Sequence, residues 1–216
     1  MTVFWHKKQN SRQLLLLFNG WGFDQKIFQD VELNGCDTVS VYDYAAINPD
    51  DFNFTRLYPE VLLAAWSYGV FVADLYSENI FNLKKAIAVN GSTTPINNLT
   101  GIPVNIFLAT MQSFNAKNRE KFYIRTAGGL TAYKQLSGKL PERTVENQLN
   151  ELQELYKLSL KTHKNNGINW QIAIVSEQDK IFPIENMKHA WGDKATVTAG
   201  EHYRDFDRII NFYLTD

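Results

Sequence analysis

Residues 61–75 read Val61-Leu62-Leu63-Ala64-Ala65-Trp66-Ser67-Tyr68-Gly69-Val70-Phe71-Val72-Ala73-Asp74-Leu75. The apolar run 61–65 has the composition of a buried strand, and 70–75 that of a helix packed on it. Ser67 lies between them, where a sharp strand-to-helix turn pushes a serine hydroxyl out of the chain. Small residues two before and two after such a serine keep strand and helix from colliding. Gly69 meets the second requirement fully, while Ala65 puts a methyl group where glycine is usual. Ser-x-Gly also describes an ordinary turn, so the rest of the chain must decide between the two readings.

The same alternation of short apolar runs and turns extends along the chain. Strands are expected at 2–5, 14–18, 38–42, 61–65, 86–89, 172–175 and 196–198, and several are continuous rather than alternating, as for strands covered on both faces. Helices are expected at 68–76, 184–191 and 204–214. This pattern predicts an α/β fold with a mostly parallel central sheet, and a nucleophile elbow at Ser67 would make it an α/β-hydrolase fold. It breaks between about 95 and 166, where no buried-strand run appears. Val145, Leu149, Leu152, Leu155 and Tyr156 recur there at helical spacing, with Pro141 ahead and Thr144 as the N-cap. The expected organisation is a hydrolase core from 1–94 and 167–216, with 95–166 as a helical cap over the carboxyl edge of the sheet.

Composition narrows the chemistry. The 216 residues are 44% hydrophobic and carry a net charge of −1, enough apolar material for a sizeable core. The longest aliphatic run, 14–18, is too short to span a bilayer, and no signal peptide is evident, so a cytoplasmic protein without a membrane partner is expected. Cys36 is the sole cysteine, which excludes an internal disulfide. His6, His163, His189 and His202 show no close metal-ligand spacing, so no metal site is expected. From Ser113 to Lys164 there are ten basic residues against five acidic ones, a local excess that attracts an acidic partner or else describes a solvated face. With no recognition motif and a net negative chain, nucleic acid is not the expected partner.

A serine nucleophile needs a base to take its proton and a carboxylate to orient that base. Hydrolases of this fold supply them in the chain order serine, acid, histidine, on late loops. Asp179 follows the strand ending at Val175, and His202 follows the strand at 196–198, so both fall at the same sheet edge as Ser67. Glu177 and Asp43 are competing acids, and His189, inside a predicted helix, is a competing base. Oxyanion donors are expected at the backbone N–H of Tyr68, the residue after the serine, and of Trp21, in the turn Asn19-Gly20-Trp21-Gly22 after the strand at 14–18.

Asn19-Gly20-Trp21-Gly22, Trp66-Ser67-Tyr68-Gly69-Val70, Val89-Asn90-Gly91-Ser92, Asp179 and Gly200-x-His202-Tyr203 together resemble the BioG-type pimeloyl-[acyl-carrier-protein] methyl ester esterases. The resemblance covers nearly the whole chain and is more specific at the glycine turns and the elbow than in the cap. It implies hydrolysis of the methyl ester of a pimeloyl group on acyl carrier protein in biotin synthesis, with Ser67 as nucleophile, His202 as base, Asp179 as its orienter and Trp21 and Tyr68 as oxyanion donors. No cofactor is implied. Asn19, where many hydrolases have histidine, and Ala65 depart from the hydrolase pattern without removing a reacting group. The basic excess suits an acidic carrier, with Lys117, Arg119, Lys121 and Arg125 as docking candidates. The competing readings are a broad short-chain carboxylesterase or thioesterase and a non-catalytic binding protein of the same fold.

Overall fold

The structure is a computed structural model that describes residues 1–161 and 167–215. His163, Lys164 and the last residues of the expected cap lie outside the described residues. Seven strands form one sheet: β1 (Thr2–Lys7), β2 (Gln13–Phe18), β3 (Cys36–Tyr42), β4 (Glu60–Trp66), β5 (Leu83–Val89), β6 (Ile172–Ser176) and β7 (Ala195–Thr198). Their order is β1-β3-β2-β4-β5-β6-β7, with β1 antiparallel and every other neighbouring pair parallel. All seven expected strands are present, most a residue or two longer than the apolar runs that announced them.

Burial explains the composition of the strands. Leu14 through Phe18 are all wholly inaccessible, because β2 is flanked on both sides and covered on both faces. At roughly 1.5–3 kcal/mol for each fully buried large apolar side chain, this run anchors the core. Around the sheet lie α1 (Tyr68–Leu75), α6 (Ile184–Trp191) and α7 (Phe206–Leu214). Helix α7 buries Phe206, Ile209, Ile210 and Leu214 and leaves Phe212 exposed, the stripe expected of a helix laid on a sheet. The β2–β3 and β3–β4 crossovers carry no α-helix, only the 3-10 segments Gln25–Phe28 and Pro49–Leu57.

Between β5 and β6 the described chain contains α2 (Val104–Gln112), α3 (Ala116–Ala127), α4 (Leu130–Gln135) and α5 (Val145–Ser159) and no named strand. Thr144 caps α5 by accepting from the Asn147 N–H. The buried face of α5 is rotated from the one its apolar residues announce, sharing Leu152 and Leu155 with it. Gln148, Glu151, Leu152 and Leu155 are buried, whereas Val145, Leu149 and Tyr156 are only partly covered. Two polar side chains therefore face inward, and their partners lie at the strand ends described below.

After β2 the chain turns to β3 on one side, and β4 then lies on the other side of β2. The gap between the carboxyl ends of β2 and β4 is thus the reversal point of strand order, where open α/β sheets bind ligands. The turn 19–22 and Ser67 stand on its two sides.

Candidate active site

Ser67 occupies the turn with φ 57° and ψ −126°, a backbone state that costs a non-glycine residue on the order of 1–3 kcal/mol. The surroundings hold it there. Its N–H donates to Val89 O at 2.9 Å and its carbonyl accepts from Val70 N–H at 3.1 Å. A Cβ on Gly91 would come within 2.1 Å of the Ser67 carbonyl oxygen, and one on Gly69 within 2.6 Å of the Phe18 and Asn19 carbonyls. Both glycines are required by close approach. Ala65 is buried and pairs with Phe18 and Ala88, so the elbow forms with a methyl group at this position.

His202 Nε2 lies 3.0 Å from Ser67 Oγ, and His202 Nδ1 lies 2.8 Å from Asp179 Oδ2. The histidine and the aspartate side chain are each 1% exposed, so their pairing is shielded from water. Asp179 Oδ1 accepts the backbone N–H groups of Ile181 and Phe182 at 2.7 and 2.9 Å, which leaves Oδ2 to the imidazole. Phe182 stacks on the ring with centroids 5.8 Å apart and an interplanar angle of 12°. The His202 carbonyl accepts from Trp66 Nε1 at 3.0 Å and from Asn90 Nδ2 at 2.9 Å. Asn90 is buried, and its Oδ1 also accepts the Ser176 N–H, so it joins the ends of β5 and β6 to the histidine loop. The sequence displayed Asn90 inside a motif without a role.

Neither the competing acids nor the competing base is hydrogen-bonded to Ser67 or His202. Asp43 pairs with Arg143 at 3.0 Å and accepts from Asn147. Glu177 and His189 are exposed. Cys36 is buried at the start of β3, where burial pushes its thiol pKa up. Among the described residues no group of three or more His, Cys, Asp or Glu side chains is arranged to hold a metal ion, and no helix is long and apolar enough to cross a membrane.

On the other side of Ser67, Gly20 passes so close to Trp66 that a Cβ would lie 2.9 Å from its ring. Gly22 takes φ +80°, the left-handed region that glycine occupies without cost. Asn19 is wholly buried, donates Nδ2 to Asp24 O at 2.7 Å and accepts the Tyr44 hydroxyl on its carbonyl; it shapes the turn from beneath. The backbone N–H groups of Trp21 and Tyr68 donate to no protein acceptor among the described residues. Both residues line one pocket with Ser67, bounded by Phe107, Phe122 and Leu152 and partly open to solvent. Arg125 and Lys180 reach the same pocket.

The family model described as pimeloyl-ACP methyl esterase BioG matches residues 1–212. The chain belongs to the BioG family. BioG from Haemophilus influenzae is a similar solved structure, 31% identical, with a TM-score of 0.87 over 96% of both chains. Among curated proteins the chain is 33% identical over 183 residues to a malonyl-[acyl-carrier protein] O-methyltransferase of Bacteroides fragilis (strain 638R), covering 83% of this chain and 36% of that protein. It thus spans about a third of that relative. It is also 33% identical over 193 residues to an uncharacterized protein of Haemophilus influenzae (strain ATCC 51907 / DSM 11121 / KW20 / Rd), covering 88% of each. An esterase from Exiguobacterium antarcticum, 14% identical with a TM-score of 0.69 over 99% of this chain and 92% of that one, shares the fold. The architecture is that of an α/β hydrolase.

The four docking candidates all fall on α3. Lys117, Lys121 and Arg125 are exposed and recur every four residues, hence on one helix face. Arg119 lies on the opposite side and donates Nη1 to the Arg143 carbonyl at 3.0 Å.

Proposed function

We propose that this BioG family member hydrolyses the methyl ester of a pimeloyl group carried on acyl carrier protein, giving pimeloyl-[acyl-carrier protein] and methanol for biotin synthesis in the cytoplasm. The observation that carries the reading is the pair of contacts from His202, 3.0 Å to Ser67 Oγ and 2.8 Å to Asp179 Oδ2, beside an apolar pocket. Ser67 Oγ attacks the ester carbonyl while His202 Nε2 takes its proton, and Asp179 stabilises the imidazolium. The carbonyl oxygen gains negative charge and accepts from the Trp21 and Tyr68 N–H groups. Collapse of this intermediate breaks the bond to methoxide, which leaves as methanol with the proton from His202. Water, deprotonated by His202, then attacks the acyl-enzyme, and its second collapse frees the acid and returns the proton to Ser67. The reaction consumes only water, so the reading needs no cofactor.

Residues 95–166 act in this reading as a cap whose apolar lining takes the acyl chain. Lys117, Lys121 and Arg125 present a positive face to an acidic carrier, while Arg119 contributes through its bond to the Arg143 carbonyl. The name of the B. fragilis relative concerns methyl transfer to an acyl group on the same kind of carrier, which agrees with a carrier-bound methyl ester as substrate.

The test is kcat/KM for the carrier-bound methyl ester, the matching carrier-bound thioester and a small aryl ester, with Ser67→Ala as control. The expected result is preference for the methyl ester and loss of turnover in Ser67→Ala. Preference for the thioester or the aryl ester makes the protein a thioesterase or a broad esterase instead. Reversal of charge at Lys117 and Lys121, which do not line the Ser67 pocket, should raise KM for the carrier substrate alone.

A further inference from the structure

Helix α5 reaches the turn 20–22 through three hydrogen bonds. Trp21 Nε1 donates to the Gln148 carbonyl at 2.8 Å, Gln148 Nε2 donates to the Gly22 carbonyl at 2.5 Å, and the Gly22 N–H donates to Glu151 Oε2 at 3.0 Å. These bonds engage the Trp21 side chain and both backbone groups of the following residue. The Trp21 N–H itself has no protein acceptor among the described residues. The other Glu151 oxygen accepts the Tyr44 N–H at 2.9 Å, so one carboxylate ties together the loops that follow β2 and β3. Glu151 is wholly inaccessible, and its charge is met by Arg143 Nη1 at 2.7 Å. The Arg143 side chain, 7% exposed, also pairs with Asp43.

A buried carboxylate is a poor choice for stability alone. Its desolvation costs several kcal/mol, and a well-packed apolar replacement of such a pair is often neutral or better. What acceptors and donors at fixed points provide, and apolar packing does not, is the direction of a peptide plane. An oxyanion donor must lie within a few tenths of an ångström of the position the developing charge will occupy.

We propose that Gln148 and Glu151 are positioning residues that hold the turn 20–22 so that the Trp21 amide points at the reacting carbonyl. The inference rests on the proposed serine-hydrolase reading, in which that amide is an oxyanion donor. The helical segment then has a part in the chemical step: it completes the transition-state site from above, while the sheet supplies nucleophile and base. Neither side chain touches the substrate, and no proton passes through them.

The experiment uses the full-length protein, a small aryl ester, and a trifluoromethyl ketone whose Ser67 adduct carries an oxyanion. Gln148→Met and Glu151→Leu should each lower kcat about 10- to 100-fold with KM within about threefold, and should weaken ketone inhibition by the same factor as kcat. Glu151→Gln, which keeps an acceptor oxygen, should recover part of the loss. Gln148→Met removes no charge and carries the test if Glu151→Leu does not fold. A folded Gln148→Met variant with wild-type kcat and ketone affinity overturns the inference, as does a loss confined to KM. Failure of the underlying reading looks different: Ser67→Ala would retain turnover, and a fluorophosphonate would not label Ser67 in the wild type.

Discussion

The two walls of the candidate active site are built in different ways. The wall holding His202 belongs to the sheet: Trp66 at the end of β4, Asn90 after β5 and the Asp179 turn after β6 all fasten it at strand ends. The wall carrying the Trp21 amide hangs from a helix more than a hundred residues away, through Gln148 and Glu151. In the proposed reading, base and nucleophile share the rigidity of the core, whereas the oxyanion side depends on how α5 is seated. A change in the helical segment can reach the chemistry through the second wall without disturbing the first.

The largest expected effect breaks the sheet-built wall at its centre. His202→Ala should lower kcat by about 10⁴-fold or more, close to the loss in Ser67→Ala, because groups that act as a unit fail as a unit. Steady-state turnover of a small aryl ester checks this, and a double variant no worse than either single one sharpens it.

Next in size is an effect on the helix-hung wall. Arg143→Met leaves Glu151 and Asp43 without their cation and should cost about 3–5 kcal/mol of stability, read by urea unfolding. A variant as stable as the wild type would show that Glu151 does not depend on this pair.

A smaller effect separates position from chemistry on the first wall. Asn90→Ala removes a donor to the His202 carbonyl and should reduce kcat about 100-fold, the order expected when a catalytic group shifts by roughly 1 Å. Fluorophosphonate labelling of Ser67 should slow in parallel. Labelling at the wild-type rate would mean that Trp66 alone orients the loop.

The smallest effect is a contrast in pH dependence between two buried carboxylates. Burial raises the pKa of Glu151, opposed by Arg143. Burial also pushes Asp37 up, but the Gln9 N–H, the Tyr58 hydroxyl and the Ser11 N–H outweigh it and hold its pKa at about 2. An acid with a depressed folded pKa contributes stability that is present above its unfolded value of about 3.9 and lost as pH falls toward the folded one. For Glu151 the sign reverses: its contribution is present below the unfolded glutamate value of about 4.3 and lost as pH rises through the folded one. Asp37→Asn should therefore flatten the loss of stability between about pH 4 and 2, and Glu151→Gln the loss on its own, higher side. Parallel profiles for the two variants would contradict this assignment.

Much of this was legible in the chain. Continuous apolar runs marked the strands because a strand covered on both faces has no polar side to display. Ser67, Asp179 and His202 were legible because strand ends set which loops meet at one edge. What escaped was the polar lining of α5. Gln148 and Glu151 carried no signal in a helix read from its apolar residues, and nothing local announces that their partners are backbone groups of the turn 20–22 and of Tyr44. Arg119 escaped likewise, since a basic residue in a basic stretch gives no sign that it will bond the Arg143 carbonyl.

By itself, then, the sequence determined the mostly parallel sheet, the elbow at Ser67 and the meeting of Asp179 and His202 with it at one sheet edge, because these follow from local patterns of burial, turn chemistry and connectivity. Only the tertiary structure decided which side of Ser67 is held by the core and which by α5. A hydrogen bond between residues 21 and 148 depends on two elements meeting in space, and no periodicity within either one encodes it.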